Sequence, residues 1–308
     1  AGAQSTASQS ADSSATATTR TVEDLRGPVE VPVRPAAVVA TDNRIFATLQ
    51  AWGIDLVAAP RQIIASDSVY KNDESVVDLG SHREPDLEAL VAVRPDLVLN
   101  GQRFREQYDA IAELVPDAAL VDTDIDENEP LDSELIRVTT LLGTIFDRED
   151  AATRTVADFT ESIDRVRAAY DPSQTVLAVI VSGGEINYAA PVTGRTLGPV
   201  YSVLGLTPAL EAEGSTDHQG DDVSVEAIAS ANPDWILVMD RDAAVGSQDG
   251  STPAPAAQVL ASTSALANVD AVKNGRILAM PATAYLDESI QMYTTYFSQI
   301  ADAMEAAK

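Results

Sequence analysis

The sequence predicts an α/β protein of two similar lobes, each a parallel-type sheet flanked by helices, joined by one long helix with a ligand cleft between the lobes. Three observations carry that expectation. Short apolar runs alternate with helical stretches along most of the 308 residues, the pattern of strands covered by crossover helices. One stretch near the middle, 148–170, has the periodicity of a single long helix. A block of the first half, LEALVAVRPDLVLNGQR (87–103), returns in the second as VEAIASANPDWILVMDR (225–241).

Taken in order, residues 1–20 are almost entirely Ala, Ser, Thr, Gln and Gly. Such a segment buries too little to offset its ordering entropy, so a flexible tether is expected over 1–21. It lacks the apolar h-region of a signal peptide. The runs AAVVA (36–40), DLVAAP (55–60), DLVLN (96–100) and AALVD (118–122) read as buried strands of an N-terminal lobe over 22–146. Within 147–170, Ala152, Val156, Phe159, Ile163, Val166 and Tyr170 recur every three or four residues, without Gly or Pro, up to Asp171-Pro172. That is the connecting helix. A C-terminal lobe over 171–308 follows, with strands at TVLAVIV (175–181), DWILVM (234–239) and RILAM (276–280). It closes on a helix whose apolar face is Ile290, Tyr293, Phe297, Ile300 and Met304.

Composition narrows the chemistry. There is no cysteine, which excludes disulfides, zinc-thiolate sites and a cysteine nucleophile. The two histidines, His82 and His218, cannot make a three-histidine site. A net charge of −28 makes nucleic acid and anionic membrane surfaces poor partners. No apolar run approaches the ~18 residues a membrane span needs. Of the 20 basic residues only Lys71, Lys273 and Lys308 are lysines, so any cluster of arginines in so acidic a chain needs a reason.

The repeat supplies such a cluster. The two copies align without gaps, each residue of the first matching one 138 further on: Glu88 with Glu226, Pro95-Asp96 with Pro233-Asp234, Arg103 with Arg241. Each copy reads as helix, Pro-Asp turn, buried strand, then an arginine just past the strand's carboxyl end, where open parallel sheets bind ligands. If the lobes are related by a pseudo-two-fold axis, the two arginines face each other across the cleft. Glu88 and Glu226 each sit near a helix start, where the helix dipole favours a carboxylate by about 0.3–1 kcal/mol. They are either no more than that or paired docking points for a partner. His82, between Ser81 and Arg83-Glu84, reads as a surface residue.

These residues resemble the helix-linked, class III binding proteins of ABC importers, and within them the binders of ferric catecholate siderophores. The resemblance covers about 22–305. It is carried by the twice-used block, the connecting helix, and the segments NGQR (100–103), TGRTLGPVYSVLGL (193–206), VMDR (238–241) and TAYLDE (283–288). It implies three cleft arginines at Arg103, Arg195 and Arg241, with Arg105 as the alternative to Arg103 because the spacing there needs a one-residue gap. It implies His218 and Tyr285 as ligands to the iron of the bound chelate, and Glu88 and Glu226 as contacts for arginines on the permease. It also implies a monomer outside the cytoplasm, periplasmic or held on the cell surface by an N-terminal lipid anchor. The ligand is the transported Fe(III)-siderophore, with no permanently bound cofactor.

The chemistry is consistent with that set. A ferric bis-catecholate is a monoanion and a tris-catecholate a trianion. Arginine stays charged, donates in a planar fork and stacks on aromatic rings. A tetradentate chelate leaves two iron positions for an imidazole and a tyrosinate. Gly194-Arg195 precedes an expected helix at 196–204, whose backbone N–H groups would add to the positive focus. Rival ligands on the same scaffold are haem, a cobalamin, a hydroxamate siderophore or a bare divalent metal. A cleft hydrolase or transferase is disfavoured, since no G-x-S-x-G, G-x-G-x-x-G or Walker motif is present.

Overall fold

The computed structural model describes residues 18–246 and 250–308. The chain enters as an antiparallel hairpin of β1 (Thr19–Asp24) and β2 (Gly27–Pro32). β1 begins inside the segment read as a tether; residues 1–17 lie outside the described residues. Arg20 explains the earlier start. Its guanidinium pairs with Asp147 at 2.9 Å and donates to the Thr144 carbonyl at 2.8 Å, clamping the hairpin to the end of the helix Leu131–Ile145.

The first sheet contains β3 (Val38–Ala40), β4 (Ala58–Ala59), β5 (Val77–Asp78), β6 (Leu97–Asn100) and β7 (Ala119–Asp122). Its order is β5-β4-β3-β6-β7, and every pairing is parallel. The second contains β8 (Thr175–Ser182), β9 (Glu185–Tyr188), β10 (Thr207–Pro208), β11 (Trp235–Asp240) and β12 (Ile277–Ala279). There the parallel order is β10-β8-β11-β12, with β9 turning back antiparallel on β8. The long apolar runs became strands because both faces of these sheets are covered. Side chains alternate between the faces. Val176, Ala178 and Ile180 join the core under the closing helix, while Leu177, Val179 and Val181 join the one on the far side. In the first lobe Val38, Ala40, Leu97 and Leu99 face one core, and Val39 and Val98 the other.

The connecting helix spans Glu149–Ala169, and Ala152, Phe159, Ile163, Val166 and Tyr170 are buried as its periodicity requires. It is not the only link. The helix Leu131–Ile145 precedes it, separated by a turn at Asp147 (φ 54°). Its Leu131 and Leu135 belong to the core of the second lobe, and its Val138, Leu141, Leu142 and Ile145 to that of the first. Gly143 lets the two helices cross: a Cβ there would lie 2.7 Å from that of Ala152. The closing helix, Ile290–Ala306, stacks Phe297 on Phe159 of the connecting helix, with ring centroids 6.0 Å apart. At its start Gln291 donates to Thr48 of the first lobe at 2.9 Å. No helix among the described residues is long and apolar enough to cross a membrane.

The repeat is conformational as well as sequential. Asp86 and Ser224, at matched positions, each cap a helix by accepting from the backbone of Ala89 and Ala227 at 3.0 Å. Arg94 (φ 48°) and Asn232 (φ 46°) both take the left-handed conformation before the Pro-Asp pair. Asp96 accepts from the backbone N–H groups of Ala36 and Ala37, and Asp234 from that of Thr175, each tying its strand to the start of the neighbouring one. β6 and β11 thus occupy corresponding places, and both end at the cleft.

Candidate functional site

The carboxyl ends of the two sheets deliver three arginines to one tyrosine. Arg103 lies in the 3-10 turn Gln102–Gln107 after β6, and Arg241 opens the helix Arg241–Val245 directly after β11. Arg195 comes from the run of turns between β9 and β10, and Tyr285 from the turns after β12. The guanidinium carbons of Arg103, Arg195 and Arg241 lie 5.1, 5.0 and 5.0 Å from the centroid of the Tyr285 ring, within the range of cation–π attraction. Arg103 crosses between the lobes to donate to the Tyr285 carbonyl at 2.9 Å. Arg241 stays on its own lobe, donating to Ser182 Oγ at 3.2 Å.

Arg105 is elsewhere. It is exposed and paired with Asp124 at 3.0 Å and Glu127 at 3.3 Å. Of the two candidates, Arg103 is the one on the tyrosine.

One buried carboxylate, Glu288, holds the cluster together. It is 4% exposed, lies 3.3 Å from Arg195 and 3.9 Å from Arg44, and Arg44 in turn pairs with Asp124 at 3.2 Å. Burial pushes the Glu288 carboxyl up, but Arg195, Arg44 and Arg103 outweigh it and hold the group below the usual carboxylate range. Burial likewise pushes the Tyr285 phenol up. Arg241 acting directly on it, with the fields of Arg195 and Arg103, brings it below the ordinary tyrosine value. Burial and the neighbouring Arg195 make Arg103 a stronger acid than an ordinary arginine. Three guanidiniums against the single charge of Glu288 leave the ring surrounded by an excess of positive charge. Arg195 and Arg241 each also keep a buried Nε donor with no protein acceptor, an arrangement that costs about 1–3 kcal/mol per group until an acceptor is found. Such an excess of positive charge is the electrostatic complement of an anion.

His218 sits in the loop 209–224, half-exposed, with Asp217 at 3.9 Å. Burial, Arg241, Arg195 and Arg83 lower its pKa against the opposing pull of Asp217, so it lies within the field of the arginine cluster. His82 requires a correction. It is not a free surface residue: its Nδ1 is buried without a partner, and burial, Arg103, Arg83, Arg195 and His218 lower its pKa. The loop after β5 folds over the end of the sheet and brings it to the same cleft. The expected helix at 196–204 also needs correction, since helix runs only over Val200–Leu204. Pro199 disfavours helix at the residue before it, and Thr196 has φ 64°. Arg195 therefore projects from a turn and gains no helix N-terminus. Glu88 and Glu226 are exposed in the first turns of Leu87–Ala92 and Val225–Ala231, away from the arginine cluster in sequence-equivalent places.

Glu288, Arg44 and Asp124 were not singled out from the sequence. Glu288 had a signal, as the last residue of TAYLDE. Arg44 and Asp124 had none, because their role comes only from the strand ends β3 and β7 meeting the second lobe.

Comparison with known proteins identifies the fold. A petrobactin-binding protein of Bacillus subtilis, YclQ, is 30% identical over 311 residues, spanning 99% of this chain and 93% of that protein. The ferric-anguibactin-binding protein FatB of Vibrio anguillarum is 28% identical over 267 residues, spanning 86% and 80%. The crystal structure of YclQ superposes with a TM-score of 0.79 at 25% identity, covering 93% of this chain and 99% of the other. The family model described as periplasmic binding protein matches residues 38–284. With its paired parallel sheets, helical connection and interlobe arginine site, the chain belongs to the periplasmic binding protein family.

Proposed function

We propose that this chain is the extracytoplasmic receptor of an ABC iron importer, capturing an anionic ferric catecholate siderophore and passing it to the membrane permease. The observation that carries the reading is the cage of Arg103, Arg195 and Arg241 around Tyr285. An anionic chelate neutralises that excess charge, and catecholate rings offer faces on which guanidiniums stack. The relatives support the class of cargo, since their names identify binders of petrobactin and ferric-anguibactin. The protein acts as a carrier, and the iron is its cargo.

Within the site, the three arginines hold the chelate, and Tyr285 and His218 complete the iron coordination when the chelate is tetradentate. The lowered acidity threshold of Tyr285 favours the phenolate that Fe(III) takes as a ligand. Visible spectroscopy and calorimetry test this on wild type and the double variant His218→Ala/Tyr285→Phe, with a ferric bis-catecholate and a ferric tris-catecholate. The bis-catecholate is expected to bind wild type tightly with a shifted charge-transfer band, and the shift to vanish in the variant. An unshifted band in wild type removes both residues from the iron. Failure of both chelates to bind removes the ligand class and makes haem the next compound to try.

Glu88 and Glu226 dock the permease. Their exposure at matched points of the two lobes supports that role. The variant Glu88→Ala/Glu226→Ala is expected to bind chelate as wild type does while losing uptake in a reconstituted importer. Unimpaired uptake rejects the assignment.

A further inference from the structure

The arginine cage already holds one anion of its own. Glu288 stands immediately before Ser289, whose hydroxyl caps the closing helix by accepting from the Met292 backbone at 3.1 Å. Its place is therefore set by a helix start packed between the lobes. The carboxylate is buried, 3.3 Å from Arg195 of the second lobe and 3.9 Å from Arg44 of the first. Burial opposes its ionisation, and Arg195, Arg44 and Arg103 outweigh burial, so it is a fixed negative charge. A site that only had to attract anions would be better without it, because it cancels part of the charge that the arginines bring.

Counting charges shows what it changes. Arg44 pairs with Asp124 at 3.2 Å, and that pair is neutral. Arg103, Arg195 and Arg241 around Tyr285 then stand against Glu288 alone, which leaves an excess of two positive charges. Fe(III) held by two catecholates is a monoanion, and a tyrosinate taking an open iron position adds one more negative charge. Chelate and tyrosinate together match the excess. A tris-catecholate fills every iron position itself, leaves Tyr285 neutral and brings three negative charges, one more than the cage can meet. With Glu288 neutral the balance reverses, and three guanidiniums match the trianion. An unmatched charge costs far more in a cleft closed to water than in solution.

We propose that Glu288 is the charge selector of the cleft, its fixed carboxylate setting the three arginines for a monoanionic, tetradentate ferric chelate and against a trianionic, hexadentate one. This selection rests on the siderophore reading and narrows the cargo to one charge class. Glu288 acts through the arginines and need not touch the chelate.

Calorimetry with a ferric bis-catecholate and a ferric tris-catecholate, at neutral pH and one ionic strength, tests this on the full chain. Glu288→Gln removes the charge and keeps the shape. A trianion feels that change three times as strongly as a monoanion in the same place, so the ratio of tris- to bis-catecholate affinity is expected to rise by roughly tenfold or more. Glu288→Asp keeps the charge and should keep the wild-type ratio. Ser182→Asp adds a carboxylate beside Arg241, which donates to the Ser182 hydroxyl at 3.2 Å, and should lower the ratio. It keeps the test valid if Glu288→Gln does not fold. The idea is overturned if the folded variants keep the wild-type ratio, or if Glu288→Gln weakens both chelates by the same factor, which would make Glu288 a prop for Arg195 and nothing more.

Naphthalene monosulfonate and naphthalene trisulfonate carry the same two charges on an aromatic ring without iron or catechol. Their affinity ratio should move in the same directions. Sulfonates that follow the charge rule while both chelates fail to bind would remove the siderophore reading and keep the selector. Chelates that bind with an unchanged ratio would remove the selector and keep the siderophore reading.

Discussion

The two copies of the repeated block agree through Asn100 and its match Val238 and diverge immediately after, where β6 ends and β11 runs on to Asp240. Helix cap, left-handed residue, Pro-Asp tie and buried strand correspond position by position. Past the strand, the first copy passes through Gly101 and Gln102 into a 3-10 turn and sends Arg103 across to the other lobe. The second begins a helix at once, capped by Asp240, and keeps Arg241 on its own Ser182. Equivalent arginines therefore do unequal work: one ties the lobes around Tyr285, the other completes the charge from within one lobe. Gly101 shows why the first loop is built as it is, because a Cβ there would collide with an Asp42 carboxylate oxygen. A duplicated scaffold preserves what holds the sheet and leaves the strand end free to change.

Three paired substitutions would break or sharpen that comparison. The largest effect is expected on ligand affinity, measured by titration with a ferric catecholate. Losing a charged hydrogen-bond donor costs about 1.5–3 kcal/mol, so Arg103→Ala should weaken binding roughly a hundredfold and Arg241→Ala roughly tenfold. Equal losses would mean that the interlobe bond of Arg103 adds nothing.

Next come the Pro-Asp ties, read by thermal or urea unfolding. Asp96 accepts two backbone N–H groups and Asp234 one. Asp96→Ala should therefore cost about 2 kcal/mol and Asp234→Ala about 1 kcal/mol, and the reverse order would show that the copies are not equivalent in their folding role.

The smallest effect, and a change of sign, is expected at the left-handed pair. Arg94→Gly should stabilise by up to about 1 kcal/mol by removing Cβ strain, set against the added freedom of the unfolded chain. Asn232→Gly should destabilise by about 1 kcal/mol, since Asn232 both donates to the Asp270 side chain at 3.0 Å and accepts from the Asp270 backbone at 2.8 Å.

The β8 and β11 runs were legible because each is apolar on both faces, a property that suits the middle of a covered sheet, while β12 shows the same kind of run at the sheet's half-buried edge. The two-residue strands β5 and β10 carry too few side chains to make a pattern, whereas β4, equally short, lies within the apolar run 55–60; β9, beside Gly183-Gly184, was not anticipated. The helix Leu131–Ile145 divides its buried face between two cores, so no single lobe boundary can be read from it.

At the site, sequence reasoning reached Arg195, Arg241 and Tyr285 through motif positions but could not separate Arg103 from Arg105. In a 3-10 turn successive residues point about 120° apart, so the choice rests on how the turn is set, and that depends on Gln102 adopting φ 49°. His82 was misread because a polar turn looks the same in sequence whether it faces solvent or the opposite lobe.

The sequence alone determined the layered α/β class, the strand centres, the long helix, the duplication and the absence of thiol chemistry. These follow from local periodicity and composition, which need no partner to be expressed. Only the tertiary structure decided that Glu288 and Arg44 join the arginine cluster and that two helices rather than one link the lobes. Each of those depends on which strand ends meet across the cleft. Residues 80 to 243 positions apart are brought together there by packing of the two cores, and no local pattern encodes a distance of that kind.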